Sequence, residues 1–209
     1  MGRARDIANV LSSSTNIALD SEMGLSLITP TSITATGGTG SIGTNGVVTF
    51  TSCTAISLNG CFSSSYDNYK VVITKLTSAG NANVSFRFRS NGTDNSGGDY
   101  KFHYQGVYGS SGTTFSGGSN GTSSISNMLY LLNTSDGGAA YIGLEVTNPF
   151  PSTTTAGTWE TYAYQADTTV RVSKKGGFAN TTQTSFDGFS LILDTSNITG
   201  SIQVYGYRK

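Results

Sequence analysis

The sequence predicts an all-β chain: an antiparallel β-sandwich, jelly-roll-like, preceded by a short N-terminal helix and an extended connector. Three observations predict it. Apolar and polar residues alternate with period two through most of the chain after Gly46. Clusters of Gly, Asn, Asp and Ser, such as Asn91-Gly92-Thr93-Asp94 and Ser135-Asp136-Gly137-Gly138, punctuate those runs. No long helical pattern separates one run from the next, which excludes a parallel sheet built from βαβ units.

The N-terminal segment differs from the rest. Ala4, Ile7, Ala8 and Leu11 fall at i, i+3, i+4 and i+7 and give one apolar stripe. Two turns of helix are too short to hold alone in water, so residues 1–22 read as an adaptor that docks on a partner surface. Ser12-Ser13-Ser14 ends the helical pattern. Residues 23–45, with Thr34-Ala35-Thr36-Gly37-Gly38-Thr39-Gly40 at their centre, read as a Gly/Thr-rich linker or strap.

Residues 46–209 read as the sandwich, with roughly ten strands. Val48, Phe50 and Ser52 alternate with their neighbours, and Tyr69 to Leu76 is an apolar-rich run suited to a central strand. Val84, Phe86 and Phe88 point one way while Ser85, Arg87 and Arg89 point the other. Tyr100 to Gln105, Met128 to Leu132, Ala140 to Val146, Trp159 to Tyr164, Val170 to Ser173, Phe189 to Leu193 and Ser201 to Tyr207 complete the set. Two stretches read as long loops: Gly109 to Ser126, and Thr147 to Thr158 with Pro149 and Pro151 around Phe150.

Only 11% of the residues are charged, against about 25% in ordinary soluble proteins. Hydroxyl side chains and 27 Gly fill the gap, while 10 Phe and 11 Tyr argue against a disordered chain. A formal net charge of zero argues against a dedicated nucleic-acid binder. No run is apolar enough to cross a membrane as a helix. Arg3 and Arg5 are not followed by the apolar stretch of a secretory signal, so export by that route is not expected. Cys53 and Cys61 read as two small side chains on neighbouring strands rather than as a disulfide framework or a metal site.

The inventory for catalysis is thin. The one histidine, His103, sits between Phe102 and Tyr104 on an alternating strand with no nucleophile motif nearby, and reads as an ordinary strand residue. Glycoside cleavage needs two facing carboxylates, and Glu145 and Glu160 are the strand-borne pair to test. Asp94, Asn95 and Asp99 crowd one loop, but their spacing matches no calcium site and suits turn chemistry. No enzymatic activity, metal or cofactor is therefore expected. Aromatic rings offer flat apolar faces for sugars, and Tyr100, Tyr104, Tyr108, Phe115 and Trp159 are the candidate glycan contacts, with a place in the core or at a subunit interface as the commoner role for such rings.

One segment carries a family likeness. Ile56-Ser57-Leu58-Asn59-Gly60-Cys61-Phe62-Ser63-Ser64-Ser65-Tyr66-Asp67-Asn68-Tyr69-Lys70-Val71-Val72-Ile73 resembles a recurrent stretch of tail-fibre and related virion proteins of tailed bacteriophages, cyanophages among them. Phe86-Arg87-Phe88-Arg89 with Gly92-Thr93-Asp94-Asn95, Thr184 to Phe189, Thr199 to Tyr207 and the opening Arg3-Ala4-Arg5-Asp6-Ile7-Ala8 resemble further parts in the same order. The resemblance implies a structural virion protein, a homotrimer assembled in the host cytoplasm, with a sandwich displayed for attachment to host-surface glycan. It implies docking to other tail or capsid proteins through Arg3, Arg5, Ile7, Val10 and Leu11. Only residues 23–45 separate anchor and sandwich, which suits a short tail appendage better than a long fibre. A capsid decoration or head-fibre protein is the alternative, and a polysaccharide depolymerase the second.

Overall fold

The computed structural model describes residues 24–109, 111–131, 140–165 and 170–209. The expected N-terminal helix, with Arg3, Arg5, Ile7, Val10 and Leu11, lies outside the described residues. The strands, numbered in chain order, form two antiparallel sheets packed face to face as a sandwich. The large sheet runs β10 (Thr114–Thr122), β9 (Tyr100–Tyr108), β14 (Val170–Asn180), β13 (Thr155–Gln165), β12 (Ala140–Thr147), β6 (Asn68–Ser78), β16 (Ile198–Tyr207), β4 (Val48–Cys53), β3 (Thr39–Ile42). β1 (Leu25–Ile28) also pairs with β16, alongside its last residues. The small sheet runs β11 (Ile125–Leu131), β7 (Ala82–Ser90), β15 (Gly188–Leu193), β5 (Ala55–Asn59), β2 (Ser32–Thr36), with the short β8 (Thr93–Asp94) folded back on β7.

Alternation decides which side of each strand is buried. Along β16, Ile198, Ile202 and Val204 are buried, while Thr199, Ser201, Gln203, Tyr205 and Tyr207 between them face outward. Facing residues of the small sheet are larger: Phe86, Phe88, Phe189 and Leu191 are fully buried, with Phe62 and Phe186 from the connecting loops. These rings form the centre of the core. Phe88 stacks on Phe186 at 4.9 Å between ring centroids, and Phe86 stacks on Phe189 at 5.2 Å. At one end Tyr69 closes the core, its hydroxyl bonded to both the N–H and the carbonyl of Ser63.

Three expectations meet corrections here. The stretch read as a linker or strap contributes β1, β2 and β3, so residues 24–45 belong to the two sheets rather than to a spacer. Ile28, Ile33, Ala35 and Ile42 supply just enough apolar surface to pack against the core. Gly40 lets β3 approach β2 closely, since a Cβ there would lie 2.8 Å from the Ile33 Cδ1.

The stretch Gly109 to Ser126 is not a loop throughout. β10 pairs with β9 from Thr114 to Thr122, held by backbone ladder bonds with little apolar content of its own. Cys53 and Cys61 are both buried and unbonded to each other, but they do not sit on neighbouring strands. Cys53 ends β4 of the large sheet, and Cys61 follows β5 of the small one. Burial, with the Asp187 carboxylate nearby, pushes the Cys61 thiol far above its ordinary pKa.

Candidate functional site: the outer face of the large sheet

The two outward faces of the sandwich differ in character. On the small sheet the outward polar groups are used by the fold itself. Arg89 pairs with Asp94 and the Gly92 carbonyl, and donates to Asn59 Oδ1 and Ser190 Oγ, both at 3.0 Å. Ser190 donates in turn to Asp94 at 2.7 Å and shares a 2.7 Å hydrogen bond with Ser57. The β7–β8 turn, with Asn91 and Gly92 both at positive φ, folds over this network and closes it. Asp94 and Asn95 are thereby committed to Arg89, Ser190, Asn180 and Thr182, in line with the turn reading of that loop.

The large sheet's outward face is open. Its register aligns two rows of residues across six strands, from β6 to β10, a span of roughly 24 Å at about 4.8 Å per strand. One row is Lys70, Glu145, Thr158, Gly177, His103 and Gly118. The next is Val72, Gly143, Glu160, Lys175, Gln105 and Ser116. A groove of about 720 Å³ opens between them, lined by Lys70, His103, Gln105, Tyr141, Glu145, Glu160 and Lys175 around Gly143, Gly176 and Gly177. Further hollows continue it on both sides. One shares Gln105 and Lys175 with it, another His103 and Gly177, and a third Glu145.

Glycine makes the floor. A Cβ on Gly143 would lie 2.3 Å from the Tyr141 hydroxyl, so the Tyr141 ring lies along the strand only because Gly143 has no side chain. At Gly177 the nearest neighbour is the His103 Cε1, 3.1 Å from where a Cβ would stand. The two rings border the groove from opposite sides, on β12 and β9.

Electrostatics divide the groove. On the β6–β12 side the charges are paired. Lys70 Nζ lies 3.0 Å from Glu145 Oε1, and the Tyr207 hydroxyl donates to Glu145 Oε2 at 2.7 Å. The hydrogen bond to Glu145 raises the Lys70 pKa, against a smaller opposing effect of burial. Burial raises the Tyr141 pKa, and the negative charge of the adjacent Glu160 carboxylate adds to the shift. On the β14–β9 side stand Lys175, His103 and Gln105. Among the described residues Lys175 enters no ion pair, although Glu160 stands opposite it on β13.

Of the five aromatic candidates from the sequence, Trp159 contributes to the lining of the groove and Phe115 to the hollow toward β10, while Tyr100, Tyr104 and Tyr108 lie outside the groove's lining. Tyr100 is fully buried, accepting from the Phe88 N–H at 2.8 Å and donating to the Asn95 carbonyl at 3.1 Å. Trp159 is 2% exposed and lines the groove, its ring against Gly176, with an indole N–H that meets no partner among the described residues. Tyr104, Tyr108 and Phe115 are brought together near the β9–β10 edge. Phe115 lies 4.6 Å from Tyr108 and 6.4 Å from Tyr104, and the Lys174 ammonium sits 4.9 Å from the Tyr104 ring. Only Tyr108, at 38%, is substantially exposed.

The two faces of β9 differ in character. Its aromatic positions 100, 102 and 104 point inward, and Lys101, His103 and Gln105 between them face the groove. Lys70, Gln105, Tyr141 and Lys175 were missed altogether, and the signal that could have found them is the outward half of each alternating strand. Glu145 and Glu160, singled out as a pair, do meet in the groove as diagonal neighbours on β12 and β13.

No protein-family model matches the sequence, and no curated protein matches it. Among solved structures the chain is similar to one described as the CBM2 module of Lactobacillus casei BL23 phage J-1 evolved Dit. The identity is 9% and the TM-score 0.27, over 90% of this chain and 91% of that one, a weak likeness between two chains.

Proposed function

We propose that this chain is a non-enzymatic, glycan-binding β-sandwich of a phage virion, and that it binds host-surface polysaccharide along the outer face of its large sheet. The observation that carries the reading is the open groove of about 720 Å³ with a glycine floor, a half-buried Tyr141 ring and a rim of hydrogen-bonding side chains. Small ligands favour enclosed, mainly apolar pockets that bury most of their surface. An open trench running across several strands suits an extended polymer instead. Its sugar faces stack on a tyrosine ring and its hydroxyls exchange water for polar side chains.

The virion setting rests on the sequence resemblance described above. In this reading three copies assemble, and residues 1–22 dock to other tail or capsid proteins. Sedimentation of the full chain as a trimer is the expected result, and a monomer removes the trimer from the account. For the groove, the test is titration of the purified protein with host envelope polysaccharide. Tyr141→Ala is expected to weaken binding about tenfold, equivalent to about 1.4 kcal/mol, with an unchanged unfolding midpoint. Full-strength binding by that variant would overturn the assignment of the groove.

The diagonal placement of Glu145 and Glu160 favours a second reading, polysaccharide cleavage. Diagonal residues on adjacent strands sit about 7–8 Å apart at the backbone, a spacing from which two glutamate side chains can reach the carboxyl separation of roughly 6.5–9.5 Å used by inverting glycosidases. Against it, Glu145 is occupied by Lys70 and Tyr207, and Glu160 is exposed rather than enclosed in the apolar surroundings that keep a catalytic acid protonated. Incubation with host polysaccharide is expected to release no reducing ends. Release that is abolished by Glu160→Gln would replace attachment with hydrolysis.

A further inference from the structure

We infer that the groove selects an anionic polysaccharide, one bearing carboxylate or phosphate groups, and seats those groups at Lys175 and His103 with Lys101 as an outer contact. The inference rests on the glycan reading above and specifies the class of glycan.

The argument is one of unsatisfied charge. Of the two carboxylates of the groove, Glu145 is held by Lys70 and Tyr207, while Glu160 stands opposite Lys175 on β13 without entering an ion pair with it. The cations of the opposite half are not matched in the same way. Lys175 and Lys101 are exposed, and among the described residues neither enters an ion pair. His103 and Gln105 stand beside them on the same strand face. These groups sit where the hollows join: Gln105 and Lys175 line both the main groove and the hollow toward β10, and His103 lines both the main groove and the hollow it shares with Lys101.

A neutral polymer laid along this path would leave the ammonium groups to water. A polymer with repeated acidic groups would place one against each, converting solvated cations into charge-assisted hydrogen bonds. The chain as a whole has a formal net charge of zero. Preference for polyanions therefore comes from this half of one face and not from a generally basic surface.

The test uses the full chain and four probes at low and high salt, about 50 and 500 mM NaCl. They are polygalacturonate as a carboxylated polymer, glycerol-phosphate teichoic acid as a phosphorylated one, dextran as a neutral one, and a thymidine oligonucleotide as a non-glycan polyanion. The expected result is tighter binding to at least one of the two acidic polymers than to dextran, weakened by salt. Lys175→Gln should weaken it about 5-fold and the Lys101→Gln/Lys175→Gln double variant more. Lys209→Gln, whose lysine pairs with Asp67 elsewhere, should leave it unchanged.

Which acidic polymer binds tells carboxylate from phosphate. Dextran bound as tightly as the acidic polymers, with Lys175→Gln without effect, overturns the anionic preference and leaves the glycan groove standing. Equal binding of the oligonucleotide overturns glycan selectivity in favour of general polyanion binding. No binding of any polysaccharide overturns both this inference and the reading it rests on.

Discussion

Replacing Tyr100 by Phe separates a structural role from a ligand-binding one in a single atom. The ring of Tyr100 is fully buried and lies parallel to that of Phe88, at 6.2 Å between centroids. Its hydroxyl accepts from the Phe88 N–H at 2.8 Å and donates to the Asn95 carbonyl at 3.1 Å. The substitution keeps the ring and removes only the oxygen, so packing is retained while a buried N–H loses its acceptor. Leaving such a group unsatisfied costs about 1–3 kcal/mol. With a urea m-value of about 2 kcal/mol/M, the unfolding midpoint falls by roughly 0.5–1.5 M.

A pH signature accompanies the loss. Burial raises the Tyr100 pKa above its ordinary value, against smaller lowering effects that include the Phe88 hydrogen bond. A raised folded-state pKa gives stability that is complete below the unfolded value, near 10, and is lost as the pH rises toward the folded value. The wild type should therefore lose stability more steeply above about pH 10 than Tyr100→Phe does. Equilibrium urea unfolding at pH 7 and at about pH 10.5 measures both effects. Polysaccharide affinity should be unchanged. A midpoint within about 0.2 M of wild type, or a loss of affinity without a loss of stability, would refute the placement of Tyr100 in the core.

Three further outcomes follow from local geometry. Gly92 has a φ of +79° and open space around it, so Gly92→Ala should cost about 1 kcal/mol of stability from backbone strain alone, read as a lower midpoint with no change in binding. Asp194 is an acid-sensitive carboxylate. Partial burial by itself would raise its pKa, but hydrogen bonds from Asn83 and Thr195 outweigh that and hold it below its ordinary value. Its stabilisation is then present above the unfolded pKa, near 3.9, and disappears as the pH falls through the folded value. The difference between wild type and Asp194→Asn should be largest near neutral pH and vanish in strong acid. Cys61 is buried with a strongly raised pKa, so a thiol reagent should label it only after unfolding; rapid labelling in the native protein would contradict its position.

The sandwich was legible wherever side chains alternate. β6, β7, β9, β12, β13, β15 and β16 each carry a β-branched or aromatic stripe, and the stripe is what the core buries. β10 was illegible for the opposite reason. Thr114-Phe115-Ser116-Gly117-Gly118-Ser119-Asn120-Gly121-Thr122 has one large apolar residue, and its place in the sheet comes from backbone bonds to β9. The segment 24–45 hid its strands in the same way, because Thr, Ser and Gly dilute the few apolar residues that pack.

The groove was harder to read than either. Its lining is spread over β6, β12, β13, β14 and β9, whose order in the sheet is not their order in the chain. Glu145 and Glu160 could be proposed as a pair because both sit outward on strands. Their neighbours Lys70 and Tyr141 become visible only once β12 is known to lie between β6 and β13. On β9 the evenly spaced aromatic stripe is also what a core requires: Tyr100 is buried there and Tyr104 packs against it, while Tyr108 at the strand's end stays exposed.

The most direct test of the account is to map where polysaccharide touches the protein. Backbone amide shifts of isotopically labelled protein, followed during titration with the acidic polymer that binds best, report contact residue by residue. Perturbations are expected to cluster at Lys70, His103, Gln105, Tyr141, Gly143, Glu160, Lys175 and Gly177, with Arg89, Ser57 and Ser190 on the opposite face silent. Shifts concentrated on the small sheet's outer face, or around Tyr108 and Phe115 with the groove unchanged, would contradict it.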